Sequence, residues 1–115
     1  MTEAVHSCVV RLADAEVCIP GPPGDHFVNV VLRGSLRLLL SHPLNPNRQA
    51  PHAQDEIYFV VRGSGFLFHD GKREVFGPGD VMFVAAGVDH RFEDFTDDLA
   101  IWVAFYGPPG GDVPA

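Results

Sequence analysis

Basic residues are scarce in this sequence. Eight Lys and Arg stand against fifteen Asp and Glu, a formal net charge of −7. The eight are scattered and build no positive face, which argues against a nucleic-acid partner. Long apolar runs are missing too. Hydrophobic residues make up 46% of the 115, but they come in short stretches. None approaches the roughly 20 residues that a membrane helix needs, so no membrane partner is expected. The opening residues, MTEAVHSCVV, lack the basic start and apolar stretch of a secretion signal, and a cytoplasmic location is expected by default. Cysteine is limited to Cys8 and Cys18, spaced neither as a zinc knuckle nor as a redox pair. Both are expected to be reduced, small packing side chains. No segment carries a sustained helical period.

Glycine and proline are abundant instead, 12 and 10 residues. They punctuate the chain at short intervals, as in proteins of many short strands joined by turns. Ten short apolar runs read as strands, at 5–12, 17–19, 26–32, 35–41, 56–61, 66–69, 73–76, 81–84, 90–95 and 99–106. The second is stopped by Pro20-Gly21-Pro22-Pro23-Gly24, and residues 42–51, rich in Pro and Asn, form a loop. Gly34 and Asp70-Gly71 mark hairpins. The rhythm predicts one all-β domain over residues 1–115, a sandwich or barrel, with 107–115 as a mobile tail.

The chemistry gathers in two places. His52, Gln54 and Glu56 are spaced by two, so an extended chain turns all three to one face, and Tyr58 and Val60 continue it. His52 and Glu56 can close on one ion only if the chain bends between them, and Gln54-Asp55 is where it can. His90 opens a later strand just after Ala86-Gly87. Converging inner faces of a barrel can bring it to the same point. Two imidazoles and one carboxylate suit Fe(II) with open positions and also serve catalytic zinc, with manganese and nickel as alternatives. A carboxylate facing a barrel interior is costly unless paired or bound to metal, which favours Glu56 as a ligand.

Around these, Gln54 is a candidate for hydrogen-bonding a ligand or substrate, and a turn residue otherwise. Tyr58 is a candidate acid or base, and a core residue otherwise. Asp55 is expected to point outward. Phe59, Phe66, Phe68, Met82, Phe92 and Trp102 are expected as wall or core. Trp102 and Tyr106 share one parity of the last strand, with a core role the simpler reading. Arg37, Arg62 and Arg91 are candidates for gripping an anionic substrate, although Arg91 faces away from His90 on strict alternation.

Pro51-His52-Ala53-Gln54-Asp55-Glu56, six residues and then Gly63 resemble the first motif of the cupin superfamily. Gly79, five residues, Ala85, one residue, Gly87, two residues, His90, three residues and Asp94 resemble its second motif. Ala50 replaces the usual first His, Ala85 the usual Pro, and Asp94 the usual Asn. The resemblance implies a conical jelly-roll β-barrel with a divalent metal held in its mouth by His52, Glu56 and His90. With Ala50 offering no ligand, at most three motif ligands remain. Family members with two His and one Glu suggest an Fe(II) dioxygenase-like enzyme acting on a small organic molecule. A metal-dependent isomerase, lyase or decarboxylase is the enzymatic alternative. A ligand-binding or sensing barrel without catalysis, and a metal-free structural member, are the others. The resemblance also implies a homodimer, with residues 5–12 as the expected contact.

Overall fold

The computed structural model describes residues 6–21, 24–47, 49 and 51–114. Ala50, where the missing motif ligand would stand, lies outside them, as does Val5. Among the described residues the chain forms one short helix, α1 (Leu12–Glu16), and eight strands. These are β1 (Phe27–Arg33), β2 (Leu36–Ser41), β3 (Asp55–Arg62), β4 (Gly65–His69), β5 (Lys72–Phe76), β6 (Val81–Val84), β7 (His90–Glu93) and β8 (Ala100–Tyr106). One sheet has the order β1-β2-β8-β3-β6 and the other β5-β4-β7, with every pairing antiparallel. This is the expected all-β jelly roll, with eight strands in place of ten.

The two runs that do not become strands lie before Pro20. Residues 6–11 form no strand, and Val9 is exposed. Leu12-Ala13-Asp14-Ala15-Glu16 instead closes a single helical turn that buries Ala15. Alanine favours that conformation, and tertiary contacts finish it. Glu16 accepts two hydrogen bonds from Arg62, at 3.1 and 2.6 Å, and lies 2.9 Å from the His42 ring nitrogen. Arg62 and His42 are 46 and 26 residues away in sequence. Residues 17–19 leave the helix as a turn.

The turn signals hold. Asp70 and Gly71 both take positive φ, 50° and 72°, as a two-residue hairpin turn requires. At Gly63, φ is 86°, and a Cβ would stand 2.7 Å from the Leu99 Cα. Only glycine fits there.

Alternation along the strands sorts the side chains. The inward rungs of β3 and β8 are Glu56 beside Phe105, Tyr58 beside Val103 and Val60 beside Ile101. Glu56 apart, these side chains build one buried apolar cluster with Leu39, Leu67, Phe76, Phe92, Phe95 and Leu99, drawn from both sheets. Burying each such side chain contributes roughly 1.5–3 kcal/mol. The intervening residues point out. Phe59, expected in the wall, is exposed on the outer face of the larger sheet with Val81 and Phe83. Trp102 pairs with Phe59 on that face and is half-buried, so it is not core. Phe66 and Phe68 lie on the outer face of the smaller sheet, each under an arginine: Arg73 over Phe66 and Arg91 over Phe68. Parity decides their side, and hydrophobicity alone does not.

Candidate metal centre

The site is built where β3 begins. Residues 53–54 bend, so the strand starts only at Asp55. The bend breaks the parity that would put Gln54 beside Glu56. It also swings His52 back over the carboxylate. Two bonds then fix the distant second stretch against the first. The Gly87 N–H donates to the His52 carbonyl at 2.8 Å, and the Ala86 N–H donates to Asp55 Oδ1 at 2.9 Å. His90 follows at once as the first residue of β7. The two motif stretches are thus joined by one backbone–backbone and one backbone–side-chain bond before any ligand is considered.

His52, Glu56 and His90 come together, and each offers one ligand atom within 4.8 Å of the others. His52 Nε2 lies 3.6 Å and His90 Nε2 3.2 Å from the same oxygen, Glu56 Oε1. Two donors about 2.1 Å from a common ion stand about 3.0 Å apart at a right angle and about 3.4 Å at the tetrahedral angle. The spacing fits. Glu56 and His90 are 2% and 1% exposed, yet Glu56 Oε1 and His90 Nε2 have no hydrogen-bond partner. Two buried polar atoms left facing each other are costly, and a cation between them would satisfy both. The other ring nitrogen of His90, Nδ1, is 2.8 Å from the Val88 carbonyl. Donation to that oxygen fixes the tautomer and leaves the Nε2 lone pair free for a metal.

The electrostatics agree with a ligand set. Burial takes the His52 imidazole below its usual range, against the pull of Glu56 and with the help of the His90 and Arg37 charges. It is therefore neutral near pH 7, the form that binds metal. At His90 burial acts downward too, but Glu56 and the Val88 carbonyl outweigh it and raise the ring above its usual range.

The other expected residues divide. Tyr58 lines the pocket and its hydroxyl donates to Gln49 Oε1 at 3.1 Å. Burial first, then the Glu56 carboxylate, push the phenol far above its ordinary range, so it acts as a neutral donor and not as a base. Gln54 is turned away from the metal group. Its amide nitrogen donates to Ser35 O at 2.8 Å and Gly107 O at 3.0 Å. Asp55 does not face solvent. It is buried, and its second oxygen accepts from the Asp112 N–H at 2.9 Å. Those two donors, from Asp112 and Ala86, hold its carboxyl below the usual range. The tail is correspondingly tied down, with Gly110 N–H also donating to Ala53 O at 2.7 Å. Arg62 is engaged with Glu16, and Arg91 with Glu93.

Beside His52 and Glu56 opens a cavity of about 370 Å³. Leu39, Phe92, Val103 and Phe105 give it an apolar wall, while Arg37, Ser41 and Gln49 add polar groups. Ser41 and Gln49 escape a sequence reading. Ser41 shares the inward parity of Arg37 on β2, a signal that a strand-by-strand reading can use; Gln49 lies in a loop and leaves none.

Residues 43–106 match a family profile described as the Cupin domain. A search of curated proteins finds an uncharacterized protein of Streptomyces coelicolor, 42% identical over 60 residues. The match covers 52% of this chain and spans 57% of that relative's length. Among solved structures, a cupin 2 conserved barrel domain protein from Salinispora arenicola aligns with a TM-score of 0.66 at 17% identity, covering 89% of this chain and 91% of the other. A cupin-2 domain containing protein from Shewanella frigidimarina gives 0.65 at 15%, covering 88% and 94%. At such identities these two structures speak for the fold alone.

Proposed function

Because the chain belongs to the Cupin domain family, we propose that it holds one divalent metal ion through His52, Glu56 and His90 and acts on a small organic molecule in the adjoining cavity. The carrying observation is the buried, unpartnered pair Glu56 Oε1 and His90 Nε2, 3.2 Å apart, with His52 Nε2 beside them. Two neutral nitrogens and one carboxylate favour Fe(II), and the reaction class favoured is dioxygenase-like. When bound, such an ion supplies open coordination positions for Lewis-acid polarisation and, as iron, for oxygen activation.

The protein's own share is positional. Val88 orients His90 by its carbonyl, and the Gly87 bond holds His52 in register with it. Leu39, Phe92, Val103 and Phe105 give the space beside the ligands an apolar wall, which strengthens charge interactions there. Tyr58, held by Gln49, presents a neutral hydroxyl.

Metal analysis of protein purified without chelators tests the reading. We expect about one equivalent per chain, falling below about a tenth in His52→Ala and His90→Ala. A metal-free wild type that Fe(II), Mn(II), Ni(II) and Zn(II) all fail to bind overturns it. Oxygen uptake by the Fe(II)-loaded protein with a panel of small organic acids and alcohols then separates the chemistries. Turnover without oxygen consumption selects isomerase, lyase or decarboxylase action. Metal retention with no turnover selects a ligand-binding role.

A further inference from the structure

Among the described residues three arginines lie over aromatic rings: Arg73 over Phe66 at 3.7 Å, Arg91 over Phe68 at 4.2 Å and Arg37 over Phe105 at 4.6 Å. Stacking uses only the flat face of a guanidinium. The N–H donors lie in its plane and still need partners. On the outer sheet they have them. Arg73 bonds Glu93 and Asp94, and Arg91 bonds Glu93. Arg37 is built the same way but lacks the acid. Among the described residues no carboxylate forms an ion pair with it, and its stacked ring, Phe105, faces the cavity.

Its position is specific. Arg37 pairs across β2 and β8 with Phe105, whose ring also meets the His52 imidazole edge-on at 4.8 Å. Phe105 therefore links the guanidinium to the metal group. Arg37 is close enough for its charge to bear on His52. Ser41, inward on the same strand, and the Leu39 and Val103 side chains complete this side of the cavity.

We infer that Arg37 selects small molecules bearing a single carboxylate on an apolar body, with the carboxylate taken by the guanidinium fork and the apolar body laid along Leu39, Val103 and Phe105. The inference rests on the reading of this cavity as the ligand site. One carboxylate matches one fork in charge and in shape. In the metal-free cavity a dianionic phosphoryl group would meet one cation and be left undercompensated.

The test compares 4-methylpentanoate with its neutral isostere 4-methylpentanamide. Binding is measured by NMR titration of the Arg37 Nε–H signal and by calorimetry, on metal-free and on Zn(II)-loaded wild type. The carboxylate is expected to bind at least about tenfold tighter than the amide in both forms. In Arg37→Gln the preference falls to near unity. Arg37→Lys, which keeps the charge without the fork, retains part of it, and thermal melts of both variants certify the fold. Equal affinities in the wild type, no binding of either probe at millimolar concentration, or an undiminished preference in Arg37→Gln overturns the inference. Failure of the metal reading looks different: Zn(II) does not bind, while the Arg37-dependent preference persists.

Discussion

The two ends of the barrel interior share their strands but follow opposite rules. At one end β3, β7 and β8 contribute Val60, Phe92 and Ile101, which pack with Phe76, Phe95 and Leu99 into an apolar cluster, Phe92 also reaching the cavity wall. At the other, the same strands contribute Glu56, His90 and Phe105, and buried polar atoms face one another without partners. Tyr58 sits on the rung between, its ring 5.1 Å from Phe92 and 6.4 Å from His90. The difference lies in the side chain alone, since the backbone ladder is continuous from Glu56 to Val60. Stability should therefore be concentrated at the closed end and binding at the open one.

The largest test of that division is Phe76→Ala. Emptying an aromatic site in the closed end should cost about 3–5 kcal/mol by chemical denaturation, with metal stoichiometry of the folded protein unchanged. Loss of metal from a folded Phe76→Ala protein would break the division. Next comes Glu56→Gln, where the two properties should move in opposite directions. Metal affinity is expected to drop about 100-fold, equivalent to ~2.7 kcal/mol. The metal-free variant should be at least as stable as metal-free wild type, because a neutral amide replaces a carboxylate that is costly to bury. A parallel loss of both would mean that Glu56 holds the fold together and is no dedicated ligand. Tyr58→Phe, on the shared rung, should cost about 1 kcal/mol of stability through the lost bond to Gln49, with little change in metal content.

The smallest effect is one of pH. Asp55 is held below the ordinary carboxylate value of 3.8 by the Asp112 and Ala86 amides. Its contribution is complete above that value and is lost as the pH falls through the lower, folded-state one. The melting temperature of wild type should therefore drop in this acid window by more than that of Asp55→Asn, as scanning calorimetry from about pH 5 to about pH 2.5 can measure. Identical slopes would show that the clamp carries no net stability.

What was legible in the sequence was whatever depended on near neighbours. Two-residue alternation placed Glu56, Tyr58 and Val60 on one face, and turn chemistry placed the hairpin at Asp70-Gly71. The motif spacings brought His52, Glu56 and His90 to one point. What escaped depended on partners far along the chain. Gln54 turned to Ser35 and Gly107, 19 and 53 residues away, and Asp55 to Ala86 and Asp112, 31 and 57 away. The apolar run at 5–12 read as a strand because nothing local announces the grip of Arg62 and His42 on Glu16. Phe59, Phe66 and Phe68 lie on outer faces because parity outranks hydrophobicity there.

Gln54 and Asp55, adjacent in sequence, fasten the β1–β2 turn, the start of the tail, its Asp112 amide and the β6–β7 turn to one spot. A knot of this kind opens as a unit. Native-state hydrogen exchange at the Ala86 and Asp112 amides should then share one opening free energy, well above that of a fraying terminus. Proteases that trim exposed chain ends should stall short of residue 112, so that the apparent appendage behaves as part of the folded barrel.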